Sequence, residues 1–265
     1  EDARLVIDVQ TEEGASAAFL FRLEKGASLS LTWKLTGGDR EGTCVLAAYY
    51  ELAEDARLHV SRLESGLTKT GIYDQRHSVL AARARADFYS AELGGEKIIV
   101  HSYGKLSGDA SEMNERAIYA GRGRQHLDFF YHIDHVGKKT KAEIDLKGAL
   151  ADESKKIFRG TLDFKRGCAG SVGDEGDFAI QLDPKTKNIS LPLLLCTEDD
   201  VQGNHASSAG QLDQNTIYFL MSRGFTLEEA RRIVVEALIR PIIDGMDETI
   251  REEVLTAVRE KLDRE

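Results

Sequence analysis

Apolar and polar residues alternate along most of the first two-thirds of the chain. Ala27-Ser28-Leu29-Ser30-Leu31-Thr32-Trp33 and Ala56-Arg57-Leu58-His59-Val60 step with a period of two, which marks strands with one buried face. The same texture returns at Ile98 to Val100, His126 to Val136, Ala142 to Leu146 and Ile157 to Leu162. No helical segment of ten or more residues is interleaved, which argues against a doubly wound α/β sheet. A loose motif recurs: an acidic residue, one or two spacers, then Ala-x-Leu leading into a strand. It stands at Glu1-Asp2-Ala3-Arg4-Leu5, Glu24-Lys25-Gly26-Ala27-Ser28-Leu29 and Glu54-Asp55-Ala56-Arg57-Leu58, with its alanines 24 and 29 residues apart. Repeats of that length predict stacked coils, each too small to bury its own apolar face. With 24 glycines and only 3 prolines the chain suits many tight turns. A β-solenoid over residues 1–210 is the reading; a β-sandwich is the alternative.

The period changes after residue 210. Leu212 to Ser222 predicts a helix that stops at Arg223-Gly224. Thr226-Leu227-Glu228-Glu229 has the form of a capping box and opens a second helix, with Leu227, Ala230, Ile233, Val234, Ala237 and Leu238 as its apolar face. Pro241 is expected to end or kink it. Asp247 can cap a last helix bearing Ile250, Val254, Leu255, Val258 and Leu262. Residues 211–265 therefore read as a small C-terminal helical domain.

Composition removes several classes. The net charge of −10 is the wrong sign for a general nucleic-acid or anionic-membrane binder. No apolar run approaches the roughly 20 residues of a membrane span. The cysteines, Cys44, Cys168 and Cys196, are three in number and far apart, which fits neither a disulfide framework nor a tetracysteine metal site. No signal-peptide pattern opens the chain, so the default compartment is the cytoplasm.

The chemical constellations are sparse. His132-x-x-His135 with Asp128 and Asp134 invites a metal reading, but residues three apart on a strand point to opposite faces. His132 should lie with Asp128 and Asp134, and His135 with Tyr131 and Ile133; solvated or core-satisfied histidines are the simpler reading. Gly121-Arg122-Gly123-Arg124 lacks the Lys-Ser/Thr and the helix of a phosphate loop. Asp199-Asp200 could act as acid and base in a β-helical polysaccharide enzyme, although paired acids near a strand end are more often a solvated turn. Trp33, the single tryptophan, offers little for stacking sugars.

Three stretches nevertheless resemble one family. They are His135 to Thr140 running on to Lys147-Gly148-Ala149-Leu150; Leu193-Leu194-Leu195 followed by Asp199-Asp200-Val201 and His205; and Tyr218 to Phe225 followed by Glu229-Ala230. This pattern resembles the SufB/SufD proteins of SUF iron–sulfur cluster assembly, most closely in the last block. Residues 1–110 fit through texture alone. The resemblance implies a right-handed parallel β-helix with a C-terminal helical domain, and a non-catalytic scaffold. It implies docking of the SufC-type ABC ATPase through Phe219, Arg223, Gly224, Phe225, Glu229 and Ala230. It also implies pairing with a SufB-like subunit, or with a second copy, through the β-helix. His205 is the implied cluster-assembly and metal candidate. Its neighbours Gly203, Asn204 and Ala206 depart from both the Cys-Ser-His-Gly of SufD types and the Glu-His-Glu of SufB types, and the SufB assembly cysteine aligns with Thr186. No stably bound cofactor is expected, and a transient iron–sulfur cluster would need ligands from a partner. A homo-oligomeric structural solenoid is a further alternative.

Overall fold

The computed structural model describes residues 2–263. Among the described residues, fifteen strands precede three helices. Odd-numbered strands stack into one parallel sheet, in the order β1 (Asp2–Thr11), β3 (Ser28–Gly37), β5 (Arg57–Gly66), β7 (Arg85–Glu92), β9 (Glu112–Gly121), β11 (Lys141–Leu150), β13 (Ser171–Gln181) and β15 (Val201–Gly210). Even-numbered strands form the second sheet: β2 (Gly14–Leu23), β4 (Gly42–Leu52), β6 (Thr70–Leu80), β8 (Lys97–Leu106), β10 (His126–His135), β12 (Lys155–Phe164) and β14 (Lys187–Cys196). Two strands make a coil, and the predicted β-solenoid is what the chain builds.

Partner residues in neighbouring coils lie 26 apart at the start, Asp2 beside Ser28, and 32 apart near the end, Lys155 beside Lys187. The recurring alanine motif marks one corner of the coil. Ala27 and Ala56 flank paired positions, and the same place is taken by Ala84, Ser111, Thr140 and Ser171. The first motif is out of step: Ala3 pairs with Leu29, two positions past Ala27, and Glu1 lies outside the described residues. The residue before each corner alanine or its equivalent is left-handed: Gly26, Asp55, Arg83, Ala110, Lys139 and Gly170, with φ between 55° and 76°. Four of these six carry a Cβ, which that conformation disfavours. Each of the six amides donates to a carbonyl of the next coil, from Gly26 N on Glu54 O to Gly170 N on Asp200 O, so stacking offsets the strain.

The opposite end of the even sheet carries a ladder of large apolar side chains pointing inward: Leu23, Leu52, Leu80, Leu106, His135 and Phe164. His135 replaces a leucine there. It is fully buried, stacks on Phe164 with ring centroids 4.4 Å apart, and shares a 2.7 Å hydrogen bond between Nδ1 and the Thr140 hydroxyl.

Strands stop at Gly210 and helices begin at Gln214. Helix α1 (Gln214–Ser222) is capped by Asp213 and closed by Gly224 at φ 97°. Helix α2 (Leu227–Asp244) opens with the predicted capping box, both halves formed. It does not end at Pro241 but runs to Asp244, because Ile239, Ile242 and Ile243 are buried on either side of the proline. Burying three isoleucines, at about 1.5–3 kcal/mol each, outweighs the roughly 3 kcal/mol that an internal proline costs. The buried face is Ala230, Val235, Ile239, Ile242 and Ile243; of the predicted face, Leu227 and Ala237 are exposed. Helix α3 (Glu248–Leu262) buries Ile250, Val254, Leu255 and Val258. Together α2 and α3 cover Leu63, Ala91, Leu93, Ile118 and Ala120 on the outer face of the odd sheet. No helix among the described residues is long and apolar enough to cross a membrane.

Candidate functional site

Two surfaces stand out: the open end of the solenoid, and the junction of α1 with α2. Strands β14 and β15 are the last of their sheets, and each has one unpaired edge. On β14, Ile189, Leu191, Leu193 and Leu195 project outward and are exposed, where the preceding coil carries Ile157, Arg159, Thr161 and Asp163. An apolar stripe beside two free edges is a template for further chain pairing.

His205 sits on β15 in register with Glu175, and this row runs inward through Ile144, Glu115, Phe88 and Val60. It is thus the last member of an interior row, and it is exposed because no further coil covers it. Beneath it, the Glu175 carboxyl is buried, with neither oxygen in a well-formed hydrogen bond and only the Leu193 amide nearby. Burial first, then the carboxylate of Asp177, push its pKa up to about 8, against a partial pull from the Leu193 backbone amide. Asp177 is held by Lys156, whose Nζ lies 2.5 and 2.6 Å from the two carboxylate oxygens and whose pKa burial draws down. At pH 7 the floor under His205 is therefore a protonated acid beside a closed ion pair.

Thiols are scarce here. Cys44 and Cys168 are buried, and burial raises both pKa values. Cys196 is exposed, and its Sγ donates to the Glu198 carbonyl at 2.9 Å. Thr186 is a turn residue whose hydroxyl donates to Asp183 O at 2.8 Å. Among the described residues, one exposed imidazole and one exposed thiol face this end.

At the helix junction Tyr218, Phe219, Met221, Phe225 and Leu227 are all exposed, from 41% to 76%. The guanidinium of Arg223 lies 5.1 Å from the centre of the Phe219 ring. Phe219 and Phe225 therefore do not serve to pack the helices on the solenoid. Of the other candidates, Gly224 supplies the left-handed helix end, Glu229 closes the capping box on Thr226, and Ala230 is fully buried. Tyr218, Met221 and Leu227 were not among the docking residues expected from the sequence, and Leu227, expected on the buried face of α2, is exposed.

The remaining constellations separate. Asp199 and Asp200 are exposed in the turn between β14 and β15. Trp33 is fully buried, so it offers no platform for a sugar. In the Arg122–Arg124 loop the Gly123 amide is taken by the Asp152 carboxylate, and Arg124 lies beside Glu153. His135 points inward and His132 outward with Asp134, as strand geometry requires; Asp128 pairs instead with Arg159.

Fold and surfaces define a two-sheeted parallel β-solenoid flanked by helices, with outermost strands β14 and β15 at one end and β1 and β2 at the other. The family described as "SUF system FeS cluster assembly, SufBD core domain" matches residues 6–238, and the chain belongs to it. It is 30% identical to the iron–sulfur cluster assembly protein SufD of Bacillus subtilis, over 77% of this chain and 46% of that protein. It is 26% identical to an iron–sulfur cluster assembly SufBD family protein of Mycobacterium leprae (70% of this chain, 50% of the relative). Identity to SufB of Bacillus subtilis is 23% (63% and 36%). The chain thus spans about half the length, or less, of these relatives.

Proposed function

We propose that this chain is a non-catalytic, SufD-like scaffold subunit in SUF iron–sulfur cluster assembly. The carrying observation is the uncovered aromatic patch of Tyr218, Phe219, Met221 and Phe225 with Arg223 stacked on it. Aromatic residues with a neighbouring arginine are the usual make-up of a binding hot spot. Its partner is a SufC-type ABC ATPase. The apolar outer stripe and free edge of β14, with the edge of β15, serve a second contact, to a SufB-like subunit or another copy of this chain. In that assembly His205 offers one imidazole, and the partner supplies the other ligands of a transient cluster, which is cargo and not a resident cofactor.

The test is titration calorimetry of the chain with the cognate ATPase, comparing wild type with Phe219→Ala, Phe225→Ala and Arg223→Ala. At least one should weaken binding by about thirtyfold, or 2 kcal/mol, with the melting temperature preserved. Unchanged affinity in all three rejects the patch as the ATPase site.

A further inference from the structure

The outer face of the even sheet is left bare by the helices, which cover the odd sheet. Outward side chains from neighbouring coils stack there into a ring ladder: Tyr49 on His77, His77 on Tyr103 and Tyr103 on His132, with centroids 5.1 to 5.3 Å apart. At its end three ligating side chains converge. His132 and Asp134 come from β10, and Asp163 from the same row as Asp134 one coil later. Their ligand atoms all lie within 4.8 Å of one another.

The geometry points to a binding site for a first-row divalent transition ion held by His132, Asp134 and Asp163. The His132 Nε2 and Asp134 Oδ1 atoms share a 2.9 Å hydrogen bond, whose proton an ion would replace. Two ligands each about 2.1 Å from one ion at right angles are about 3.0 Å apart, so this pair already has the spacing of adjacent ligands. The Tyr103 hydroxyl donates to Asp134 Oδ2, leaving Oδ1 toward His132 and the proposed ion. Stacking of Tyr103 on His132 fixes the plane of the imidazole. Both carboxylates are mostly buried, at 11% and 9% side-chain exposure. That partial desolvation strengthens their pull on a cation.

A positive charge is already drawn there. Lys165 sets its Nζ 2.5 Å from Asp163 Oδ2 and 3.4 Å from Asp134 Oδ1. Lys165 is 44% exposed on a flexible stem, so it can withdraw when a better cation arrives. One imidazole with two carboxylates suits zinc, cobalt, manganese or iron(II) better than calcium, which takes oxygen ligands alone.

Cobalt(II) alone is the probe, titrated calorimetrically into the full chain, with thermal unfolding measured in parallel. Wild type should bind one equivalent more tightly than about 1 mM and melt higher with the ion present. His132→Ala and Asp163→Asn should each weaken binding by about tenfold or more and abolish the melting shift. Lys165→Met, which removes the competing ammonium, should bind several-fold tighter. His205→Ala and Cys196→Ser should leave the cobalt affinity of the His132 site unaltered, which separates this site from the open end of the solenoid. Binding that follows His205 or Cys196, affinity indifferent to His132 and Asp163, or no binding by about 1 mM each overturn the proposal.

Discussion

Asp74 anchors a charged cluster inside the solenoid, and its removal should be more damaging than removal of the arginine it holds. Its Oδ2 accepts from Arg76 Nε at 2.9 Å, from Arg76 Nη2 at 2.7 Å and from Arg62 Nη2. All three residues are at most 2% exposed. Asp74→Ala leaves Arg62 with only Glu64, 3.3 Å away, and Arg76 with Glu92, 2.7 Å away. Burial and the acids around it hold Glu64 well above the usual carboxyl range, so it is a weaker partner for Arg62 than the Asp74 carboxylate. Guanidinium groups do not release protons in proteins, so Arg62 and Arg76 stay charged without the carboxylate they shared; the cost should be about 3–5 kcal/mol. Arg76→Met strands carboxyls instead, and those can take up protons. Their pKa values in the folded variant must rise above the unfolded values, so its stability should recover as pH falls and be lowest near pH 8. Trp33 is a built-in reporter, since the Arg62 guanidinium lies 4.5 Å from its ring centre. Urea unfolding followed by Trp33 fluorescence at pH 5.5 and pH 8 reads both effects. An Asp74→Ala cost below about 1 kcal/mol, or an Arg76→Met variant no more stable at pH 5.5 than at pH 8, refutes the reasoning.

Two further substitutions probe buried titrating groups. Glu115, fully buried and bonded to the Ser102 hydroxyl, has its pKa pushed to about 7 chiefly by burial, so ionisation destabilises the fold as pH rises from about 4.5 to 7. Glu115→Gln should flatten that loss and raise stability at pH 8 by up to about 3 kcal/mol in denaturant titration; an unchanged pH slope would contradict it. His135 is depressed to about 4, again mainly by burial, so the wild type should lose stability as pH falls from about 6.5 toward 4. His135→Leu extends the leucine ladder and should remove most of that acid limb at a cost near pH 8 of about 1 kcal/mol for the lost Thr140 hydrogen bond; a limb of the same depth in the variant would rule this out.

Strand texture was legible because most coils obey a period of two, and the corner motif because a small residue at the corner recurs at Ala27 and Ala56, whereas Ala3 is out of step. What the alternation hid was a local inversion of polarity. In β5 the inward positions after Val60 are Arg62 and Glu64, while Leu63 points outward. A binary reading assigns Leu63 to the core and the two charges to water. The fold does the opposite: α2 and α3 cover Leu63, Ala91 and Ile118 from outside, and Arg62 and Glu64 meet Asp74 and Glu92 within. An alternating pattern reports which residues share a face, and only the covering helices decide which face is wet.

The same limit explains the candidate sites. Strand geometry correctly parted His132 from His135, yet it could not supply Asp163, which joins His132 only through the register of β10 with β12. In a solenoid, side chains about 29 positions apart are neighbours, and the step here drifts between 26 and 32, so a one-residue error moves a ligand to the wrong face. His205 was legible as a residue but not as a position. Its place at the mouth of an interior row, above the protonated Glu175, depends on β15 being the last strand of its sheet. The helix patch was the most legible of the three because its determinants are local: a left-handed Gly224, a capping box at Thr226 and Glu229, and aromatics within one turn of both. Local sequence thus reveals surfaces built from one or two adjacent elements, whereas chemistry assembled across coils emerges only once the stacking register is known.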